Sequence, residues 1–367
     1  MRVIVVQCRG TPFEIGRKQA ELFAITQGGK SFLRRKDFRR PQWLDLRTEE
    51  RFYAKFSPAL WQEIAGLADG LNISLERACF VFGNGSIPPR LGGCSAVMTT
   101  DVFSRNYDFH PRNYGARLAL VQPEGSYASI GFSERLTGRL DGMNEHGLSV
   151  ALHLVGARPL QWGMSCILMI RLVLDQCATT DEAVELFRRM PHAMRYNYSL
   201  LDAGGHAAVV EAAPAAFAVR RGEWLACTNH FQSYAMKLHN RAYKSSWNRL
   251  PPLETWADQN LPAGSMFEAF NASTSPAFFC SFDRGRSGTL HTLVSEPKRR
   301  RLQIGIGGDS RRFESAFLNV DFAAWARGID LPLTEMKGQL GGLSKPFEWP
   351  VRATARRPRP SVRPARK

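Results

Sequence analysis

One of the seven cysteines lies where it could act in catalysis. Cys94 follows Gly92 and Gly93, where a loop rich in glycine, asparagine and proline meets an apolar segment that we predict to be a strand. A nucleophile at such a junction is accessible and rigidly held, and the two glycines allow positive φ angles or strained backbone. A free cysteine is more commonly a small buried residue, so that interpretation also stands for Cys94.

The chemistry of this junction depends on the bond between Gly93 and Cys94. If that bond were cut, Cys94 would gain an α-amino group with a pKa of about 7.7–8.0. The amine could take the proton from the neighbouring thiol, so one residue would supply both nucleophile and base without a catalytic histidine. The thiol could also make the cut, by attacking the Gly93 carbonyl to form a thioester that water then opens. The junction therefore predicts self-cleavage followed by acyl chemistry at the thiol.

Eight segments of the chain resemble, in the same order, motifs of a known family. They are 9–16, 63–70, 93–95, 105–109, 142–148, 228–231, 246–249 and 289–292. The family is the isopenicillin N acyltransferase branch of the N-terminal-nucleophile hydrolases, related to choloylglycine hydrolases, penicillin V acylase and acid ceramidase. The late motif departs from the family pattern because Thr292 replaces a serine. Each motif alone is weak, but eight in order are hard to obtain by chance.

The resemblance implies a role for each of five residues. Cys94 would be the nucleophile for self-cleavage and for turnover, and Arg105 would lie near its thiol and favour the thiolate. Asp108 would accept a hydrogen bond from the new α-amine. Asn229 would donate its side-chain amide to the oxyanion of the tetrahedral intermediate. Arg249 would bridge buried carboxylate or carbonyl groups around the site.

Some of these assignments have alternatives. Arg241 competes with Arg249, because the loop after Asn229 varies in length among relatives. Asn144 is either an oxyanion donor or a cap of the turn between two strands, and we favour the turn. We interpret His230 as structural, since the mechanism needs no histidine.

The pattern of apolar residues predicts where the elements lie. Strands are expected at 1–8, 94–98, 101–107, 118–122, 127–132, 148–154, 196–201, 207–210, 217–219, 224–227, 289–294 and 302–305, and helices within 11–40 and at 60–67, 75–82, 167–174 and 181–190. Strands, then helices, then strands again fit two stacked sheets with helices outside. The resemblance implies the same α+β fold, a four-layer αββα sandwich of two mainly antiparallel sheets.

We expect the chain to have three parts. Residues 1–93 would form the N-terminal segment, 94–330 the catalytic portion, and 331–367 a basic tail without fixed structure. Seven of the positive charges behind the net charge of +16 lie in 352–367, which has no acidic residue. This segment also lacks aromatic residues that could stack on bases.

The sequence favours an enzyme that hydrolyses or transfers the acyl group of a small linear amide. An alternative is a non-catalytic basic protein that binds nucleic acid or an anionic surface through its tail. A papain-like Cys–His protease ranks last because no histidine has suitable surroundings. We expect no cofactor, no metal, no membrane span and a cytoplasmic location, and a homo-oligomer remains open.

Overall fold

The structure is a computed structural model that describes residues 1–34, 45–84, 93–156, 163–240, 244–278 and 288–340. Within these residues the strands are β1 (Arg2–Gly10), β2 (Gly93–Met98), β3 (Phe103–Phe109), β4 (Arg117–Pro123), β5 (Ser129–Glu134), β6 (Gly138–Arg139), β7 (Asp141–Asn144), β8 (Ser149–Gly156), β9 (Arg195–Leu201), β10 (Ala207–Ala213), β11 (Ala216–Gly222), β12 (Leu225–Cys227), β13 (Gly288–Glu296), β14 (Arg301–Ile306), β15 (Phe317–Asp321) and β16 (Glu335–Lys337). The helices are α1 (Pro12–Ala24), α2 (Gln27–Arg34), α3 (Leu46–Phe56), α4 (Pro58–Leu71), α5 (Leu75–Phe82), α6 (Cys166–Gln176), α7 (Thr180–Arg189), α8 (Lys244–Asp258), α9 (Ala263–Asn271) and α10 (Phe322–Ala326).

The strands form two sheets. The larger has ten strands in the order β11-β10-β9-β8-β7-β5-β4-β1-β16, with β6 beside β5. The smaller has six in the order β12-β2-β3-β13-β14-β15. Neighbouring strands are antiparallel except β1 and β4, which run parallel. Both sheets are therefore mainly antiparallel, as the sequence predicted.

The two sheets pack face to face, and helices cover their outer sides. Strand β2 of the smaller sheet contacts β8 and β9 of the larger one. Helices α1, α6 and α7 lie on the larger sheet, and α8 and α9 lie on the smaller. This order of layers is the predicted αββα sandwich, in which each sheet buries both faces.

The first two family-like motifs have a structural role at the N-terminus. Thr11 caps α1, its hydroxyl accepting from the Glu14 amide while the Glu14 carboxylate accepts from the Thr11 amide, which is a capping box. Helices α1 and α4 then touch backbone to backbone. A Cβ on Gly16 would lie 2.1 Å from the Glu63 carbonyl oxygen, and one on Gly66 would lie 2.0 Å from that of Phe13.

Each helix predicted from the sequence is observed, but four helices in the described residues, α3, α8, α9 and α10, were not predicted. The helices predicted at 60–67 and 75–82 are α4 and α5, and the Ser74 side chain caps α5. Helix α8 escaped prediction because Pro251 and Pro252 lie inside it, and proline is a strong signal against helix. The error matters because α8 carries one of the predicted site residues.

The folded region extends further than the sequence suggested. The tail was predicted to begin at residue 331, but β16 pairs with β1. The paired residues are Arg2 with Lys337, Val3 with Met336 and Ile4 with Glu335. Three residues are too short for the alternating pattern to be recognised, and the pairing partner lies at the other end of the chain. Residues 341–367, which hold the charged end of that tail, lie outside the described residues, as does most of the loop before Gly93. None of the described helices is long and apolar enough to cross a bilayer.

The glycine contact between α1 and α4 gives a prediction about stability. Gly16→Ala would force the two helices apart, and overpacking of this kind costs about 1–3 kcal/mol. We expect a lower Tm for Gly16→Ala in thermal unfolding monitored by circular dichroism. Gly264→Ala in α9 is the control, because the nearest atom to its Cβ would be 3.6 Å away, and alanine should be neutral or mildly stabilising there. Equal Tm values for the two variants would contradict the proposed packing.

Candidate active site

Cys94 lies near the start of β2, in a tight hairpin with β3. Thr99 and Val102 close the turn, the Thr99 amide donating to the Val102 carbonyl at 2.9 Å. The register pairs Cys94 with Tyr107 and Gly93 with Asp108. This pairing places the Gly93 side of the Gly93–Cys94 bond beside the Asp108 carboxyl on β3.

The Cys94 thiol is almost fully buried and faces an arginine. The Arg105 guanidinium donates through Nη2 to Cys94 Sγ at 3.3 Å, and through Nη1 to the Leu140 carbonyl at 2.8 Å and Asp141 Oδ2 at 2.9 Å. Burial raises the pKa of the Cys94 thiol above its ordinary value, and the charge of Arg105 opposes that rise. Arg105 therefore lies where the family resemblance expected it.

A chain of hydrogen bonds continues behind Arg105. Asp141 Oδ2 also accepts from His291 Nε2 at 2.7 Å, and His291 Nδ1 bonds to the Tyr114 hydroxyl at 2.8 Å. The carboxylate can only accept, so Nε2 carries the hydrogen and neutral His291 accepts from Tyr114. Burial alone would raise the pKa of Asp141, but His291 and Arg105 hold it below its ordinary value. The carboxylate is thus ionised and balances the charge of Arg105.

Two further side chains hold the backbone of Cys94. Its amide donates to Asn229 Oδ1 at 2.7 Å, and its carbonyl accepts from Arg249 Nη1 at 2.6 Å. Arg249 also donates to Ser95 Oγ at 2.6 Å and to Asn229 Oδ1 at 2.9 Å. The Asn229 amide nitrogen donates to the Leu154 carbonyl at 2.9 Å. Arg249 contacts the Cys94 carbonyl and the Asn229 side-chain oxygen, and its functional role stays a prediction. The oxyanion role of Asn229 also stays a prediction, since here its oxygen faces Cys94.

The loop that carries Asn229 is held by the family-like segment 246–249, which lies on α8. Ser246 Oγ accepts from the Asn229 amide at 2.8 Å, and Arg249 lies one turn further along the same helix. Asn197 donates to the Thr228 and His230 carbonyls on either side, at 3.1 and 2.8 Å. Ser246 and Arg249 lie on the same face of α8, so one helix face holds both the Asn229 loop and the backbone of Cys94. This is why the two residues are close in sequence.

Asp108 lies against the bond that we expect to be cut. Its Oδ1 accepts from Thr289 Oγ1 at 2.7 Å, while Oδ2 is buried and has no hydrogen-bond partner within the described part of the chain. A Cβ on Gly93 would lie 2.8 Å from Asp108 Oδ2 and 3.3 Å from Arg249 Nη2. Gly93 is not among the glycines with positive φ, so it is needed here for close approach and not for strain. Burial raises the pKa of the Asp108 carboxyl to about 6.

Two other candidates belong to the scaffold. Asn144 Oδ1 accepts from the amides of His146 and Leu148, both at 3.1 Å, and its nitrogen donates to two carbonyls at the end of α6, at 3.1 and 2.6 Å. All its hydrogen-bonding groups are used in the turn, which favours the turn role. His230 stacks on Trp247, and burial lowers its pKa to about 4, in keeping with a structural histidine. Arg241 lies outside the described residues.

Sequence reasoning missed four polar partners of the site. They are Ser95, Asp141, Thr289 and His291. Thr289 and His291 lie in the late motif, and Asp141 immediately precedes the Gly142 motif, so the signal was present without a role attached. Among the described residues there is no cluster of His, Cys, Asp and Glu that could hold a metal ion.

The sequence was compared with known families. The family model for acyl-coenzyme A:6-aminopenicillanic acid acyl-transferase matches residues 97–311, which is more than half of the chain. This chain belongs to that family. The matched region includes Arg105, Asp108, Asn229 and Arg249, and it begins three residues after Cys94. The family resemblance noted from the motifs is thereby confirmed.

Several solved structures are similar to part of this chain. Penicillin V acylase from Agrobacterium tumefaciens is 19% identical, with a TM-score of 0.40 over 58% of this chain and 82% of that chain. A mutant of conjugated bile acid hydrolase from Clostridium perfringens is 12% identical, with a TM-score of 0.43 over 64% and 93%. The N-acylethanolamine-hydrolyzing acid amidase ortholog from Caenorhabditis elegans is 17% identical, with a TM-score of 0.41 over 62% and 100%. No curated protein sequence matches the chain.

In this member of the acyl-transferase family, Arg105 should set the reactivity of the thiol. Removing the positive charge that contacts the thiol raises the thiol pKa further, so Arg105→Met should slow alkylation of Cys94 at neutral pH by about tenfold. The measurement is the iodoacetamide rate at the Cys94 peptide, by mass spectrometry, as a function of pH. Arg220→Met is the control, since Arg220 pairs with Glu211 and does not contact the thiol. If the alkylation rate of Cys94 rose with pH around the same midpoint in Arg105→Met as in Arg220→Met, this role of Arg105 would be contradicted.

The buried carboxyl of Asp108 should make stability depend on pH. Its pKa is about 6 when folded and near 4 when unfolded, so between these values the unfolded chain releases a proton that the folded chain keeps. The protein should therefore lose stability as pH rises from about 4 through about 6. Asp108→Asn removes this pH dependence. The unfolding free energy of the Asp108→Asn protein, relative to that of the protein with Asp108, should therefore rise across that window by about 3 kcal/mol.

Urea unfolding at several pH values measures this difference. Both proteins should carry Cys94→Ala, so that neither is cut and only the carboxyl differs. A difference in unfolding free energy that stays constant with pH would show that Asp108 does not titrate as described.

Proposed function

We propose that this protein is a cysteine N-terminal-nucleophile enzyme that cuts its own chain between Gly93 and Cys94. It would then hydrolyse or transfer the acyl group of linear, non-peptide amides. The observation that carries the proposal is the set of contacts around Cys94: a guanidinium at its thiol, side chains at its amide and carbonyl, and at Gly93 a carboxylate oxygen that has no hydrogen-bond partner among the described residues. The thiol and the amide nitrogen are atoms that this chemistry changes, and the contact to the Cys94 carbonyl holds the nucleophile in place.

Self-cleavage would begin with the thiol. Cys94 Sγ attacks the Gly93 carbonyl carbon, the sulfur–carbon bond forms, and the carbon–nitrogen bond to Cys94 breaks. The thiol proton ends on the departing α-amine, and water then opens the thioester to a Gly93 carboxylate and a free thiol. Asn229 Oδ1 already accepts from the nitrogen that becomes the amine, at 2.7 Å. Asp108 Oδ2, which lies against Gly93, is the second acceptor available to an amine with more than one hydrogen.

Turnover would use the same atoms. The α-amine of Cys94 takes the thiol proton, and the thiolate attacks the substrate amide to form a thioester while the amine product leaves with that proton. Water as acceptor gives a hydrolase, and an amine as acceptor gives an acyltransferase. Arg249 anchors the Cys94 carbonyl during both steps, so the nucleophile keeps its position after the chain is cut.

The proposal predicts two fragments in the purified protein. Intact mass under denaturing conditions should give the masses of 1–93 and 94–367 for the wild type and one uncut chain for Cys94→Ala. Ser95→Ala is the matched control, because it alters the neighbouring side chain and leaves the proposed nucleophile in place. We expect it to be cut.

Other outcomes separate the alternatives. An uncut wild type, or a Cys94→Ala protein cut at the same bond, would contradict self-cleavage by this thiol. The non-catalytic basic protein would then become the better account, and it predicts binding to anionic polymers that falls as salt rises.

A further inference from the structure

A short 3-10 helix on the surface displays two large apolar residues. It spans Tyr234–His239, follows the loop that carries Asn229, and contacts β11 at the edge of the larger sheet. Tyr234 is 88% exposed and Leu238 is 97% exposed. Single exposed apolar residues are ordinary, but large ones held side by side are typical of an interaction surface.

The geometry of this helix turns both apolar residues outward. A 3-10 helix has three residues per turn, so its side chains form three rows along the axis. Met236 is fully buried in a cluster with Phe231, which directs its row into the protein. The other two rows, one with Tyr234 and Lys237 and one with Leu238, therefore flank the outward direction. We call Tyr234, Lys237 and Leu238 the exposed ridge.

Hydrogen bonds fix the loop that carries the exposed ridge. The Asn240 side chain accepts from the Phe231 amide at 2.6 Å and donates to the Phe231 carbonyl at 2.8 Å, which closes the loop at its base. The buried Glu211 carboxylate accepts from the amides of Gln232 at 2.8 Å and Ser233 at 3.1 Å. The two apolar residues are thus exposed on a loop whose backbone is held by the fold.

The segment around the exposed ridge is basic and carries a third large apolar side chain. Residues 224–253 contain no Asp or Glu, whereas Lys237 and Lys244 are both exposed. Lys237 Nζ lies 5.4 Å from the centroid of the neighbouring tyrosine ring. Half-exposed Trp247 of α8 stacks on His230, at the base of the same loop, with 3.7 Å between ring centroids. Aromatic and aliphatic side chains therefore occur here beside lysines and without acidic residues in the same segment.

This composition and shape match an anionic lipid surface. Tryptophan and tyrosine favour the boundary between membrane and water, leucine enters the apolar side of that boundary, and lysine meets anionic headgroups. A partner protein would have to supply a fitted pocket for each protruding side chain, because protein interfaces bury their aromatic anchors in pockets. Lipid adapts to a protruding ridge without such pockets, and the positive charge selects a negative surface.

We propose that the exposed ridge docks this protein on an anionic lipid surface. Tyr234 and Leu238 enter the boundary between headgroups and acyl chains, and Lys237 pairs with lipid phosphates. A helix of this length lies on a bilayer and cannot span it. Docking brings the loop of Asn229, whose side chain holds the Cys94 amide, towards the lipid. The proposal does not depend on the chemistry proposed for Cys94.

Lysine footprinting of the unmodified full chain tests where lipid binds. Vesicles of phosphatidylcholine with about one third phosphatidylglycerol should slow acetylation of Lys237 several-fold, as read by mass spectrometry. Exposed Lys18 of α1, which lies on the part of the larger sheet formed by β1 and β4, should react at the same rate with and without vesicles. Vesicles of phosphatidylcholine alone should protect Lys237 less, because they lack the negative charge. Protection of Lys367 in the basic tail without protection of Lys237 would overturn the proposal.

Variants then assign the binding to the apolar residues of the ridge. Tyr234→Ser with Leu238→Ser should weaken binding to the phosphatidylglycerol vesicles by about tenfold in a flotation assay, because two apolar side chains no longer leave water. Ile25→Ser is the matched control, since Ile25 is 71% exposed at the end of α1 and should not affect binding. All three positions are exposed, so the Tm should stay unchanged.

Two outcomes would overturn the proposal. The first is equal vesicle affinity of the wild type and the double variant, because binding would then come from charge elsewhere in the chain. The second is a wild type that ignores vesicles but forms a dimer in sedimentation experiments, with the dimer lost in the double variant. The ridge would then be a contact between two copies of the chain.

Discussion

Arg249 and Asn229 are bonded to each other, and together they hold the amide and the carbonyl of Cys94. This clamp joins three elements that are far apart in sequence, because Cys94 begins β2, Asn229 follows β12 and Arg249 lies on α8. Strand β12 pairs with β2, and α8 packs on both. Because β12 is the edge strand of the smaller sheet, the loop after it and helix α8 both lie beside Cys94. A nucleophile whose backbone is fixed keeps its orientation even if the chain before it is cut.

The charges around the thiol are balanced within the protein. Arg105 is fully buried, and an unpaired buried guanidinium would cost several kcal/mol. Asp141 provides the opposite charge, and its carboxylate also accepts hydrogen bonds from His291 and from the Phe132 amide, while Tyr114 bonds to the other nitrogen of His291. Tyr107 and Phe132 stack on His291 and exclude water from it. The arrangement allows one positive charge to contact the thiol without leaving the interior with a net charge.

The sequence located the residues of the site better than their partners. Cys94, Arg105, Asp108 and Arg249 come together as the family motifs implied, since those motifs record type and spacing. Asp141 could not be assigned, because its contact with Arg105 joins β3 to β7 in the other sheet and leaves no local pattern.

The same limit applies to elements and to backbone geometry. The sandwich could be predicted from the succession of strands and helices, but β16 could not, because its pairing with β1 spans almost the whole chain. Gly93 shows the limit in a single residue. The sequence suggested freedom of φ, whereas the structure requires only that no Cβ come between the backbone and Asp108.

In the proposed mechanism, Cys94 becomes an N-terminal residue that carries both amine and thiol. A nitrile reagent that condenses only with 1,2-aminothiols, such as 2-cyanobenzothiazole, tests this directly in the purified protein. We expect one label, on the fragment that begins at Cys94, and none on Cys94→Ala. A wild-type protein that reacts with iodoacetamide at Cys94 but never with the aminothiol reagent would contradict it, because the thiol would then be present without the amine that is proposed to activate it.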